Sequence, residues 1–141
     1  MLQTKTAKTM TFRTSAIVLL LWLCATGTAL AQREARVTVK TTDPVETWMQ
    51  AAKDAGKELK WGSKDADPAA GKITIWRSYY APGSELQVII TSEVKDGKSV
   101  LNMRLPNPAN SVGSFIPELK KFVKLLKLTN KEVGEFTDGV E

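Results

Sequence analysis

The sequence predicts a small α+β domain, in which an antiparallel sheet of four to five strands carries two helices on one face, in the order β-α-β-β-β-β-α. Three observations predict this fold. Apolar residues recur at spacings of three and four over 45–55 and 115–126, as in amphipathic helices. Apolar residues occupy every second position over 73–75, 88–90 and 101–105, as in half-buried strands. Turn signals at Pro82-Gly83 and Asp96-Gly97 separate these strands. The length of 141 residues suffices for one domain.

Residues 1–31 have the layout of a secretory signal peptide. The front end is basic and carries no acid, an apolar run follows over 16–23, and the segment closes on the small residues Ala29 and Ala31. The apolar run is shorter than the roughly 20 residues that span a bilayer. We therefore expect export, cleavage after Ala31, and a periplasmic or secreted location.

The composition of the mature chain excludes several classes of site. The leader holds three of the 20 Lys and Arg residues and none of the 15 Asp and Glu residues, so the mature net charge is only +2 and nucleic-acid binding is not expected. The chain has no His, and its single Cys lies in the leader. Catalytic triads, Cys-His dyads and the usual zinc sites are thereby excluded, and we expect no enzyme activity, no cofactor and no metal.

The mature chain is expected to begin with a strand and a helix. Every second residue over 34–40 is apolar, which predicts a strand. Asp43 is placed to cap the helix, Pro44 suits its first position, and Glu46 closes a capping box. Gly56 predicts the end of the helix. The predicted buried stripe consists of Val45, Trp48, Ala52 and Ala55.

A second strand is predicted around Leu59 and Trp61, and a flexible polar loop over 62–71. The two turn signals then set the register of the following three strands. Asp96-Gly97 as a two-residue turn places Ile90 opposite Met103, and a turn centred on Pro82-Gly83 places Ile75 opposite Ile90. Both registers bring the apolar side chains to the same face, which predicts a three-stranded meander.

A second amphipathic helix is predicted to begin between Ser114 and Pro117 and to reach about Leu128. The polar segment 129–141 is expected to be a flexible tail. The predicted organisation is therefore a cleaved signal peptide over 1–31, one α+β domain over 32–128, and the tail.

Several of these segments resemble the helix-grip domains of bacterial envelope lipoproteins such as BamC. The likeness is carried by segment 42–48 (Thr-Asp-Pro-Val-Glu-Thr-Trp), the stretch 65–72, the Asp96-Gly97 hairpin and the closing helix. The resemblance implies an accessory or protein-interaction module of the cell envelope. The sequence departs from those lipoproteins because Leu23, before Cys24, stands where lipidation requires a small residue, so membrane contact is expected to be at most peripheral.

The same strand register predicts which residues lie on the sheet face opposite the helices. Trp76, Ile89 and Arg104 are expected to form one row of this outer face, and Thr74, Thr91 and Asn102 the next. Trp and Arg are frequent at interaction hot spots. The alternative is that Arg104 or the flanking threonines cover Trp76, or that a bulge turns the indole inward.

Two further groups of residues are candidates for binding. Lysines at spacings of four, three and four form a stripe on the second helix, which either contacts an anionic membrane surface or is simply the solvated side of that helix: Lys120, Lys124, Lys127 and Lys131. An apolar ligand held between sheet and helices would contact Trp48, Met103, Phe115 and Phe122.

The sequence therefore predicts a non-catalytic, exported binding or accessory module of the bacterial periplasm or cell envelope. It would contact a protein, peptide or glycan, and in particular an envelope protein or a peptidoglycan component, through the outer sheet face. The alternative is a carrier of a small apolar ligand. Stabilisation by a hydrophobic molecule in a thermal-shift screen would distinguish the carrier.

Overall fold

The computed structural model describes residues 33–79, 84–108 and 113–140, and the predicted leader lies outside these ranges. Within them the chain forms seven strands and two helices. In chain order these are β1 (Arg33–Thr41), α1 (Val45–Glu58), β2 (Gly62–Asp67), β3 (Lys72–Ser78), β4 (Glu85–Lys95), β5 (Lys98–Pro106), α2 (Ile116–Leu125), β6 (Glu132–Val133) and β7 (Thr137–Val140).

The strands form one antiparallel sheet in the order β2-β3-β4-β5-β1-β6, with β7 also paired to β1. The α+β class and the order of the first seven elements are as predicted. The predicted number of four to five strands is wrong, because β6 and β7 come from the segment 129–141. These strands are short and polar, so they lack the alternating pattern by which strands are detected in a sequence.

The segment that carries β6 and β7 is fixed to the connection between β1 and α1. The Thr129 backbone N–H donates to Asp43 Oδ2 at 2.9 Å, and the Thr129 carbonyl accepts from Thr41 Oγ1 at 2.8 Å. Further along, the Gly134 N–H donates to the Thr38 carbonyl at 2.8 Å. A Cβ at Gly134 would lie 2.9 Å from that carbonyl oxygen, so only glycine permits this close approach.

Two features of α1 differ from the prediction. The helix begins at Val45 with Pro44 as N-cap and without a side-chain capping bond, because the Asp43 carboxylate binds Thr129 instead. Gly56 does not end the helix but lies buried inside it. A Cβ there would lie 2.9 Å from Ile75 Cγ2, so this glycine lets α1 pack closely against β3.

The second strand begins three residues later than Leu59 and occupies most of the predicted loop. Lys60 adopts a left-handed conformation with φ of 61°, which separates α1 from β2. Asp65 is also left-handed, with φ of 54°, where the pairing with β3 shifts between Lys64 and Asp67. All but one of the β2 residues are exposed, so this edge strand shows no apolar alternation.

Of the two predicted strand registers, that of the β4–β5 hairpin is correct and that between β3 and β4 is wrong. The β4–β5 hairpin is confirmed, with Ile90 opposite Met103 and left-handed Asp96 and Gly97 in the turn. Between β3 and β4, however, Ile90 lies opposite Ile73 instead of Ile75. A shift of two residues leaves every side chain on its face, so the hydrophobic pattern cannot detect it.

The core lies between the helices and one face of the sheet, which we call the inner face. Its strand residues follow the predicted alternation, and they pack with the buried side chains of α1 and α2 in a single cluster. The strand members are Ala35, Val37, Val39, Ile73, Ile75, Leu86, Val88, Ile90, Leu101, Met103 and Leu105. The opposite side, which we call the outer face, is thereby left to the intervening residues of each strand.

The contact of Asp43 with Thr129 gives a test of the fold. We predict that Asp43→Ala lowers the free energy of unfolding by about 1–2 kcal/mol, because a hydrogen bond to a charged acceptor is lost. Amide exchange at Gly134 should become faster. The matched variant Glu46→Ala should cost no more than about 0.5 kcal/mol. Urea unfolding measures the free energy of unfolding of both variants. Equal losses would indicate that Asp43 and Glu46 act together as a capping box.

Candidate functional site

The register of the strands defines the rows of the outer face. Ile89 lies opposite Arg104 as predicted, but its neighbour on β3 is Thr74. Trp76 lies one row away, opposite Gln87. The predicted row of Trp76, Ile89 and Arg104 is therefore wrong, because the two-residue shift between β3 and β4 moves the indole along the strand.

The next row contains Thr91 and Asn102 opposite one another, as predicted, and Lys72 on β3. On β1, Thr38 extends the row, and its Oγ1 donates to Asn102 Oδ1 at 3.3 Å. Lys72, Thr91 and Asn102 are exposed, whereas Thr74 in the neighbouring row is buried. The outer face thus presents mainly polar side chains around the half-buried Ile89.

Trp76 is half-buried on this face and is covered from β2. The Lys64 ammonium lies 5.1 Å from the centre of the indole ring, a cation–π contact. Gly62 lies opposite Trp76, and a Cβ there would be 3.2 Å from the indole Nε1. The edge strand therefore covers part of the indole, a contact that the sequence did not predict.

Lys64 is itself held by Glu85. Its Nζ lies 2.6 Å from Glu85 Oε2, and Gln87 Nε2 donates to the same oxygen at 2.6 Å. These two hydrogen bonds, that of Lys64 first, lower the pKa of Glu85 from its ordinary value. The ion pair keeps the lysine over the ring of Trp76, so this end of the outer face is an ordered cluster.

At the end of the outer face where β1 begins and β5 ends, a buried carboxylate lies between two arginines. Glu34 is 2% exposed. Arg104 Nη1 lies 3.2 Å from its Oε1, while Arg36 Nη2 and Nε lie 3.0 Å and 3.1 Å from its Oε2. The arginine side chains remain 46% and 42% exposed. Glu34 therefore fixes both guanidinium groups while leaving a large part of each at the surface.

Sequence reasoning missed Glu34. Its position places it on the same face as Arg36, but its burial depends on two pairings that are distant in sequence: β5 on one side and β7 on the other. Gly139 of β7 lies opposite Glu34, and a Cβ there would be 3.4 Å from Arg36 Nε. The only signal in the sequence was the spacing of two between Glu34 and Arg36, which places both side chains on one face of a strand.

A trough of about 560 Å³ crosses the outer face from β2 to β5. Acids of the edge strand form one end, Arg104 forms the other, and side chains of β3 and β4 form the floor. The lining residues are Asp65, Ala66, Asp67, Lys72, Thr74, Gln87, Ile89 and Arg104.

The predicted lysine stripe is not continuous. Lys120 and Lys124 are exposed on α2, but the helix ends at Leu125, before Lys127 and Lys131. Lys131 Nζ donates to the carbonyls of Val123 and Leu126 at 3.1 Å and 2.8 Å. This lysine therefore satisfies acceptors at the end of the helix instead of extending a charged surface.

The residues proposed to line an apolar cavity all belong to the core cluster: Trp48, Met103, Phe115 and Phe122. Phe122 stacks on Trp61 at 6.5 Å between ring centres, and Phe115 meets Tyr79 edge-on at 5.8 Å. Trp48 is fully buried, and its indole Nε1 has no hydrogen-bond partner among the residues that the structure describes.

Over the ranges that the structure describes, no group of three or more His, Cys, Asp or Glu residues is arranged to hold a metal ion. In the same ranges, no helix is long and apolar enough to cross a membrane. No protein-family model matches the chain, and no curated protein matches it.

The buried carboxylate gives a prediction for stability. Glu34→Gln should lower the free energy of unfolding by about 1–2 kcal/mol, because two charge-assisted contacts are weakened between partly exposed partners. Glu93→Gln, which removes an exposed carboxylate of the same face, should change it by no more than about 0.5 kcal/mol. Chemical denaturation of both variants measures the difference, and equal effects would contradict a fixed arginine pair.

The pKa of Glu85 gives a pH dependence. Because this pKa is lower in the folded chain, the stabilisation is present at neutral pH and is lost as pH falls through the folded-state pKa. Glu85→Gln should lower the thermal midpoint at pH 7, and the difference from the parent chain should vanish in acid. A constant difference across pH, or an NMR titration showing an ordinary pKa, would contradict the Lys64 contact.

Proposed function

We propose that the chain is an exported, non-catalytic binding module of the bacterial periplasm or cell envelope, which contacts a protein, peptide or glycan through its outer sheet face. The observation that carries this proposal is Arg104. This residue lies on a central strand, is held by the buried Glu34, and keeps 46% of its side chain exposed.

Preorganisation of Arg104 favours binding at this face. A free arginine on a surface loses rotamer entropy when it binds a partner. Here the contact of Arg104 with Glu34 fixes the guanidinium before any partner arrives, and β7 helps to bury the carboxylate. Burying Glu34 costs desolvation energy, which the two arginines offset. A rigid, exposed arginine beside an apolar residue such as Ile89 is typical of an interaction hot spot.

The difference in polarity between the two faces of the sheet also favours binding through the outer face. The inner face and both helices form the core, whereas Lys72, Thr91, Asn102 and Arg104 of the outer face are exposed. The side chains there offer hydrogen-bond donors and acceptors around a small apolar centre, which suits a peptide backbone or a sugar. The signal-peptide pattern and the resemblance to envelope lipoprotein domains favour an envelope protein or a peptidoglycan component as the partner.

A carrier of an apolar ligand is the second candidate. The observation that favours it is the indole N–H of Trp48, a buried donor without an acceptor in the described part of the chain. A ligand that displaced core side chains and supplied an acceptor would satisfy this group. The outer face is the stronger candidate, because Trp48, Met103 and Phe122 already fill the core that such a ligand would need.

Site-specific photo-cross-linking in intact envelopes tests the proposed face. A cross-linking residue at Asn102, exposed on β5, should form adducts with a partner. One at Gln50, exposed on α1, should not. Adding Arg104→Ala should remove most of the adduct at Asn102 without changing the fold measured by circular dichroism.

Three results would contradict the proposal. These are equal adducts from Asn102 and Gln50, adducts from Gln50 alone, and adducts at Asn102 that are unaffected by Arg104→Ala.

A further inference from the structure

An arginine ends the row of inner-face side chains on β3. Ile73 and Ile75 of this strand enter the core, and Arg77 follows at the same spacing along the strand. Its neighbour on β4 is Leu86, which is also a core residue. Arg77 therefore brings a positive charge to the edge of the core, where its side chain is half-buried.

The guanidinium of Arg77 has no acceptor among the residues that the structure describes. It forms no hydrogen bond and no ion pair with them, and its Nε is buried. Arg36 and Arg104, in contrast, both contact the carboxylate of Glu34. Removing a cation from water costs free energy unless an acceptor replaces the water. An anion of a ligand would supply the acceptor that Arg77 lacks.

The indole of Trp61 holds the guanidinium in position. Cζ of Arg77 lies 5.5 Å from the centre of the ring, a cation–π contact. Both helices fix Trp61 in turn. Its backbone N–H donates to the Gly56 carbonyl of α1 at 2.7 Å, and its ring stacks on Phe122 of α2 at 6.5 Å between ring centres. A guanidinium on a fixed ring loses little conformational entropy when an anion binds to it.

We propose that Arg77 binds the carboxylate of a small organic acid that has an apolar body. Because Nε is buried, the contact is made through the terminal Nη atoms, whose N–H groups match the two oxygens of a carboxylate. The apolar body would contact the half-buried ring of Trp61. Because Arg77 lies on the inner face, this site goes beyond the proposed function of the outer face.

The neighbours of Arg77 favour a carboxylate over a phosphate or an uncharged ligand. The side chains around it include the apolar groups of Ile75, Leu86 and Trp61. A phosphate group carries nearly two negative charges at neutral pH, and the second charge would lie against these apolar side chains. A carboxylate neutralises the guanidinium with a single charge. An uncharged ligand would leave the guanidinium unpaired.

The test is an NMR titration, with benzoate, benzyl alcohol and inorganic phosphate, of the chain recovered from an exporting bacterial host. The signals followed are those of the side-chain N–H groups of Arg77 and Trp61. Benzoate should shift both signals saturably. It should bind at least about tenfold tighter than benzyl alcohol, which lacks the charge, and than phosphate, which lacks the apolar body.

Two variants assign the preference to the guanidinium. Arg77→Met removes the charge and keeps an unbranched side chain, so it should abolish the preference for benzoate over benzyl alcohol, with the Trp61 signal as the probe. Arg77→Lys keeps the charge but loses the paired donors, so it should weaken benzoate binding at least about threefold. Arg33→Met is the matched control, because it removes an exposed arginine of β1 and should leave all three affinities unchanged.

Equal affinities of the parent chain for benzoate and benzyl alcohol would overturn the inference, and so would the absence of saturable benzoate binding. A preference for benzoate that persists in Arg77→Met would also overturn it. If Arg77→Met does not fold, Arg77→Lys decides, and an unchanged affinity for benzoate would then contradict the proposed contact. Phosphate binding as tight as that of benzoate would contradict the ligand class.

Discussion

The rest of the structure depends on the alternation of side chains along β1, β3, β4 and β5. In each of these strands one set of side chains enters the core beneath α1 and α2, and the intervening set lies on the outer face. A register shift of one residue would bury Arg104 and expose Met103. The hydrophobic effect therefore determines which side chains lie on the outer face as well as which enter the core. The set of polar side chains on the outer face follows from this constraint.

Among the polar residues of the outer face, ion pairs hold particular side chains in place. Glu34 is buried on the side of the sheet away from the helices, where its contacts with two guanidinium groups offset the cost of burying it. Lys64 and Glu85 have the corresponding role beside Trp76, in a more exposed setting. The outer face thus combines a fixed arginine with a covered indole, and the open area lies between them.

The amount of structure that the sequence predicts depends on the range of the interactions involved. The Asp96-Gly97 hairpin was predicted with its register, because a two-residue turn determines both strands locally. The β3–β4 register was wrong by two residues, since the apolar pattern specifies only parity. The tail strands, the burial of Glu34 and the position of Gly56 against Ile75 were missed because each depends on contacts distant in the chain. For the site, the Ile89–Arg104 pair was predicted, but the row containing Trp76 was not.

Cysteine accessibility along β5 is the most direct measurement of whether the outer face is open. In a Cys24→Ser background, which removes the chain's one cysteine, single cysteines would be placed at positions 101, 102, 103 and 104 and labelled with a maleimide in the native state. The account predicts rapid labelling at 102 and 104 and strong protection at 101 and 103. Protection at 102 and 104, or equal rates at all four positions, would contradict it.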